Sequence, residues 1–137
     1  MNTKRVLIAG LLAGLVLNIG EAALHGVVIA EPTESALAAL GHPVTGDPFK
    51  LTMLVLMTFG QGIVGMWLYA AIGGRARRHA ALIVGNVLWF LSAAYAAIYL
   101  DAGFPGVFPA NVVWWPVIWG WVEFPLAMLA GAAVYRD

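Results

Sequence analysis

The chain has 137 residues, 62% of them hydrophobic and only 10% charged, with a mean hydropathy of +0.88. Soluble domains carry about 25% charged residues, so a soluble globular domain is excluded. A formal net charge of zero leaves no basic surplus to recruit nucleic acid, and the absence of cysteine removes disulfides, iron–sulfur ligation and thiolate zinc sites together.

Four segments are apolar over about 20 residues, the length a helix needs to cross a hydrocarbon core of about 30 Å. They run roughly over residues 6–30, 50–72, 79–100 and 111–135. The alternation of a membrane β-strand is absent from them, so each is expected to be helical. The predicted fold is all-α: a polytopic membrane four-helix bundle forming one domain over residues 1–137. Its partner is the lipid bilayer, with no nucleic acid.

The first segment opens on Lys4 and Arg5 and then carries polar residues at regular intervals. At about 100° per residue, Gly10, Gly14, Asn18, Glu21 and His25 fall within an arc of about 80°. Gly10 and Gly14 form a G-x-x-x-G spacing that admits a close helix neighbour, and the polar side chains continue the same stripe. A signal-peptide reading, with cleavage near Gly20-Glu21-Ala22, conflicts with the apolar run that continues past it. Pro32 and Thr33, the run "ESALAAL" and Gly41 predict a short extra helix in the first outer loop, with Ala36, Leu37 and Leu40 on the bundle mouth or the interface.

The second segment places Gln61 about 16 Å from Lys50, and the fourth places Glu123 about 18 Å from Asn111, both near the depth of Glu21. Gly65 and Gly131 are further packing glycines, each four residues before a tyrosine, Tyr69 and Tyr135, expected at the membrane interface. Asn86 in the third segment is expected to bond between helices. Trp119 shares the face of Glu123, and Pro116 and Pro125 lie within the same span. Lys4, Arg5, Arg75, Arg77, Arg78 and Arg136 all fall on one side of the membrane and Lys50 on the other, which predicts cytoplasmic termini and a multi-pass protein of the cell inner membrane.

A carboxylate in the hydrocarbon region needs a partner, a proton or water. Asn18, Glu21, His25, Gln61, Trp119 and Glu123 therefore form one candidate ligand or proton site. Glu21 and Glu123 sharing a proton would suit proton-coupled transport or small-ligand binding. Glu21, His25 and Glu123 are also candidate ligands for a metal cation, and the tryptophans with His25 for a quinone, haem or lipid. The alternative is structural: interhelical bonds fixing the register of an accessory subunit, in a homo-oligomer or a larger membrane complex. Enzymatic hydrolysis has the least support, since no nucleophile lies near His25 in sequence.

The segments "NIGEAALHG" and "FPANVVWWPVIWGWVEFPLAMLAGAAVY", with the short four-span length, resemble a group of small bacterial integral membrane proteins to which no activity is attached. More loosely, the chain is similar to the small multidrug resistance transporters, which have four spans and a membrane-embedded Glu in the first. Glu21 would be the matching residue. The second glutamate at Glu123, the long first outer loop and the lack of that family's motif depart from the likeness, which supports transport by analogy only.

Overall fold

The computed structural model describes residues 2–42, 47–72 and 77–135. Arg75 and Arg136, two of the charges that set the expected orientation, lie outside the described residues. The chain forms α1 (Thr3–Val28), α2 (Ala30–Ala39), α3 (Pro48–Ile72), α4 (Arg77–Gly103) and α5 (Ala110–Val134), with no strand among the described residues. Helices α1, α3, α4 and α5 have 25 to 27 residues and are apolar enough to cross a membrane. This is the architecture of a multi-pass, all-α membrane protein.

These four helices start one to three residues before the apolar runs do, and polar residues cap the first turns of α1 and α3. Asn2 accepts a bond from the Arg5 N–H at 3.3 Å, and Asp47 accepts one from the Phe49 N–H at 3.0 Å. The shorter α2 begins at Ala30, so Pro32 and Thr33 lie inside its first turn, where the missing proline N–H costs no helical bond. Gly41, at φ 75°, follows its C-terminal end. Ala36 is buried and Leu40 is exposed.

Small residues set the packing. A Cβ built on Gly62 of α3 would lie 2.5 Å from the Gly10 carbonyl oxygen and 2.7 Å from the Gly14 Cα. One built on Gly10 would lie 2.5 Å from the Ile63 Cα. The G-x-x-x-G of α1 is thus filled by the backbone of α3. On its other side α1 meets α5, where a Cβ built on Gly131 would lie 2.9 Å from the Ala9 carbonyl oxygen, and α5 in turn receives α4, where one built on Gly85 would lie 2.5 Å from the Pro125 Cα. The order around the bundle is α3, α1, α5, α4. Met66 and Met128 fill the centre, each against a glycine of the opposite helix: Met66 against Gly131, Met128 against Gly65.

Two expectations are corrected here. Tyr69 and Tyr135 are buried and meet edge to face, with ring centroids 5.7 Å apart, so they belong to the core rather than to an interfacial belt. Asn86 bonds back to the Leu82 carbonyl of its own helix at 2.8 Å, not to a neighbour. The bond that does cross from α4 to α5 is made by Trp89, whose Nε1–H donates to the Val117 carbonyl at 2.8 Å. Trp89→Phe keeps an aromatic side chain and removes the donor with part of the indole. It should lower the unfolding free energy by at least about 0.6 kcal/mol, the average for such bonds, measured in mixed micelles.

Candidate functional site

The polar residues of α1 do not share one pocket with Glu123. They and Glu123 meet different faces of α1, because Gly20, which Glu123 faces, and Glu21 differ by one residue and so by about 100°. On the α3 side, Asn18 Nδ2 donates to the Gly14 carbonyl at 2.8 Å and to the Val55 carbonyl at 3.4 Å. Glu21 and His25 form a pair, with Nε2 to Oε2 3.0 Å, and both are partly exposed. An outer cavity of about 570 Å³ holds Asn18, Glu21, His25 and Thr58. A smaller one of about 240 Å³ holds Glu21, Thr58, Gln61 and Ser92, so Glu21 and Thr58 border both. Gln61 Nε2 donates to Ser92 Oγ at 3.4 Å.

Two stretches of this polar region leave α geometry. Leu24–Val28, which carries His25, and Phe90–Ala94, which carries Ser92, are π-helical. Such turns widen the helix by one residue and occur frequently at functional sites. Ser92 and Thr58 were missed by the sequence reading. The available signal was a hydroxyl residue deep within each apolar run, Thr58 three residues before Gln61 and Ser92 as the one serine of the third.

Glu123 lies on the other side of α1. It is only 7% exposed, and its carboxylate faces Gly20, where a Cβ would overlap Oε1. The depths of α1 and α5 therefore agree at residues 20 and 123. Both Glu123 carboxylate oxygens and the Trp119 Nε1 are buried without a hydrogen-bond partner. Trp119 is one turn away on the same helix and near the carboxylate. No hydrogen bond joins Glu123 to Glu21, Gln61 or His25. The expected shared proton between the two glutamates is therefore not seen as a direct contact.

Glu123 and Trp119 sit in a groove of about 540 Å³ between α1 and α5. Its other walls are Val16, Ile19, Gly20, Trp115, Ile118, Val122 and Leu126, all apolar. Ile19, Ile118 and Val122 are more than half exposed, so the groove opens sideways on the lipid-facing surface. Among the described residues no three His, Asp or Glu side chains gather in a way that could hold a metal ion. Of the candidate set Glu21, His25 and Glu123, the first two pair on the α3 side while Glu123 faces the groove between α1 and α5.

Gly20 makes this arrangement possible, and a substitution there tests it. In Gly20→Ala the atom in the way is the far end of a flexible side chain, so the carboxylate can swing aside and stability should change by less than about 1 kcal/mol. Labelling of Glu123 by the apolar carboxyl reagent dicyclohexylcarbodiimide, read by peptide mass spectrometry, should nevertheless change severalfold. Unchanged labelling would mean that Gly20 does not set the carboxylate's position. Compared with known proteins, the chain matches no family model, no curated sequence and no solved structure, so its function is argued from this geometry.

Proposed function

We propose that the chain is a multi-pass protein of a bacterial inner membrane, with both termini cytoplasmic, that binds a small lipophilic ligand at Glu123 and couples that binding to proton movement. One observation carries the reading: a carboxylate buried at the floor of a lipid-facing groove, with the Trp119 indole nearby but no protein group in hydrogen-bonding geometry with either oxygen. Burying such a group is costly, and structural glue would be bonded. A group left without a partner in hydrocarbon suits a ligand that comes and goes.

The polar face of α1 supplies the complementary half. His25, Glu21, Gln61 and Ser92 line two adjoining cavities on the side away from the groove. Ligand from lipid on one side and protons along a polar face on the other are the two inputs of proton-coupled transport. The orientation rests on Lys4, Arg5, Arg75, Arg77, Arg78 and Arg136 falling on one side against Lys50 on the other.

The test uses protein reconstituted into liposomes that trap a pH-sensitive dye, with para-octylphenol and tetraphenylphosphonium as probes. At least one probe should drive a proton signal above that of empty liposomes. Glu123→Gln should abolish it and Glu21→Gln slow it severalfold. A signal that both variants retain in full, or no signal with either probe, overturns the reading.

A further inference from the structure

We propose that the α1–α5 groove takes a lipophilic alcohol or phenol that enters sideways from the bilayer and places its hydroxyl between Trp119 and Glu123. This inference rests on the reading of Glu123 as a ligand-binding group and names the class of ligand.

The depth of the floor excludes ordinary lipid headgroups. Glu123 lies about 20 Å along α5 from Ala110 and about 17 Å from Val134, close to the middle of the span. Phospholipid phosphates stay outside a hydrocarbon core of about 30 Å, so they do not reach this level. The occupant must carry its polar group through hydrocarbon, which limits it to one weakly polar group on an apolar body. The walls agree, since Trp115, Ile118, Val122, Leu126, Val16 and Ile19 offer no hydrogen bond from their side chains beyond the Trp115 indole, whose side chain reaches the outer surface.

The unpartnered atoms then select the group. Trp119 Nε1–H can only donate, while the Glu123 carboxyl keeps at least one oxygen that can only accept, whether or not it carries a proton. A carbonyl would satisfy the indole and leave the carboxylate unpaired. A quaternary cation would satisfy the carboxylate and leave the indole unpaired. A hydroxyl does both with one oxygen, accepting from Trp119 and donating to Glu123. No proton transfer is required for binding.

The experiment measures protection of Glu123 from dicyclohexylcarbodiimide in the full chain, held in lipid nanodiscs. The competitors are para-octylphenol, its methyl ether, para-octyltoluene and tetraphenylphosphonium, compared as mole fractions in the bilayer. The phenol should protect saturably and the ether up to about tenfold less well, the upper range for loss of one hydrogen bond. Trp119→Phe should weaken the phenol and the ether by a similar severalfold factor, since both oxygens accept from the indole, and leave the weaker protection by para-octyltoluene, which has no oxygen, unchanged, which a merely structural loss would not do. Equal protection by phenol and ether, or stronger protection by tetraphenylphosphonium, overturns the hydroxyl assignment while ligand binding at Glu123 stands. Protection by none of the four overturns both.

Discussion

Gly62→Val is expected to prevent α1 and α3 from closing, whereas Gly60→Ala, two residues earlier on the same helix, should be tolerated. A side chain at Gly62 meets backbone: the Gly10 carbonyl oxygen at 2.5 Å, the Gly14 Cα at 2.7 Å and the Gly14 nitrogen. Backbone cannot rotate away as a side chain can, so the helix axes must separate. Separation would also break the Asn18 bond to Val55 and the contact of Gly14 with Phe59. Overpacking that side chains can absorb costs about 1–3 kcal/mol, and this case should exceed that range. A Cβ at Gly60 meets nothing within 4 Å and should stabilise the helix by about 0.5–1 kcal/mol. Size-exclusion profiles and unfolding midpoints in mixed micelles check the pair. A Gly62→Val protein that elutes and unfolds like wild type would refute the backbone contact.

The second large effect has the opposite sign. Glu123→Met should stabilise the bundle by about 1–3 kcal/mol, since it replaces a buried, unbonded carboxylate by an apolar side chain of similar length. The same variant should lose carbodiimide labelling at this position and all Glu123-dependent proton movement. Gained stability with lost function is the signature of a group kept for its chemistry. If Glu123 instead held the helices together, Glu123→Met would lower the unfolding midpoint, and the structural alternative would be favoured.

The helices were legible because hydrocarbon allows few structures, and the runs of apolar residues mark their extents within a few residues. Gly10 and Gly14 were also legible, since small residues four apart on a membrane helix invite a close neighbour. The partner helix was not. Spacing along α1 says which residues share a stripe, but only the packed structure shows that the stripe faces α3 while Gly20, about 100° round, faces α5. That single turn of geometry separates Glu21 from Glu123, which agreement in depth alone had joined.

The π-helical turns were illegible for a different reason. Ala97 lies nine residues after Leu88, which at about 100° per residue would put it on the opposite side of α4. Both are buried, because the turn at Phe90–Ala94 takes up an extra residue and brings the later face round. Apolar periodicity in a span that is hydrophobic on all sides carries too little contrast to reveal such a shift. The tyrosines show the same loss of contrast. Tyr69 and Tyr135 stand at helix ends, where an interfacial place and a core place look alike in sequence.

The closure of Gly10 and Gly14 on Gly62 also bears on self-association. Gly10 and Gly14 are the sequence's single G-x-x-x-G pair, the spacing through which membrane helices of separate molecules often dimerise. Here that surface is consumed within one molecule by α3. Any second copy must dock through other surfaces of the bundle, whose lipid-facing side chains are mostly bulky, such as Leu54, Met57, Phe90 and Leu91. Crosslinking sites for a dimer therefore belong on those outer faces and not along the glycine stripe.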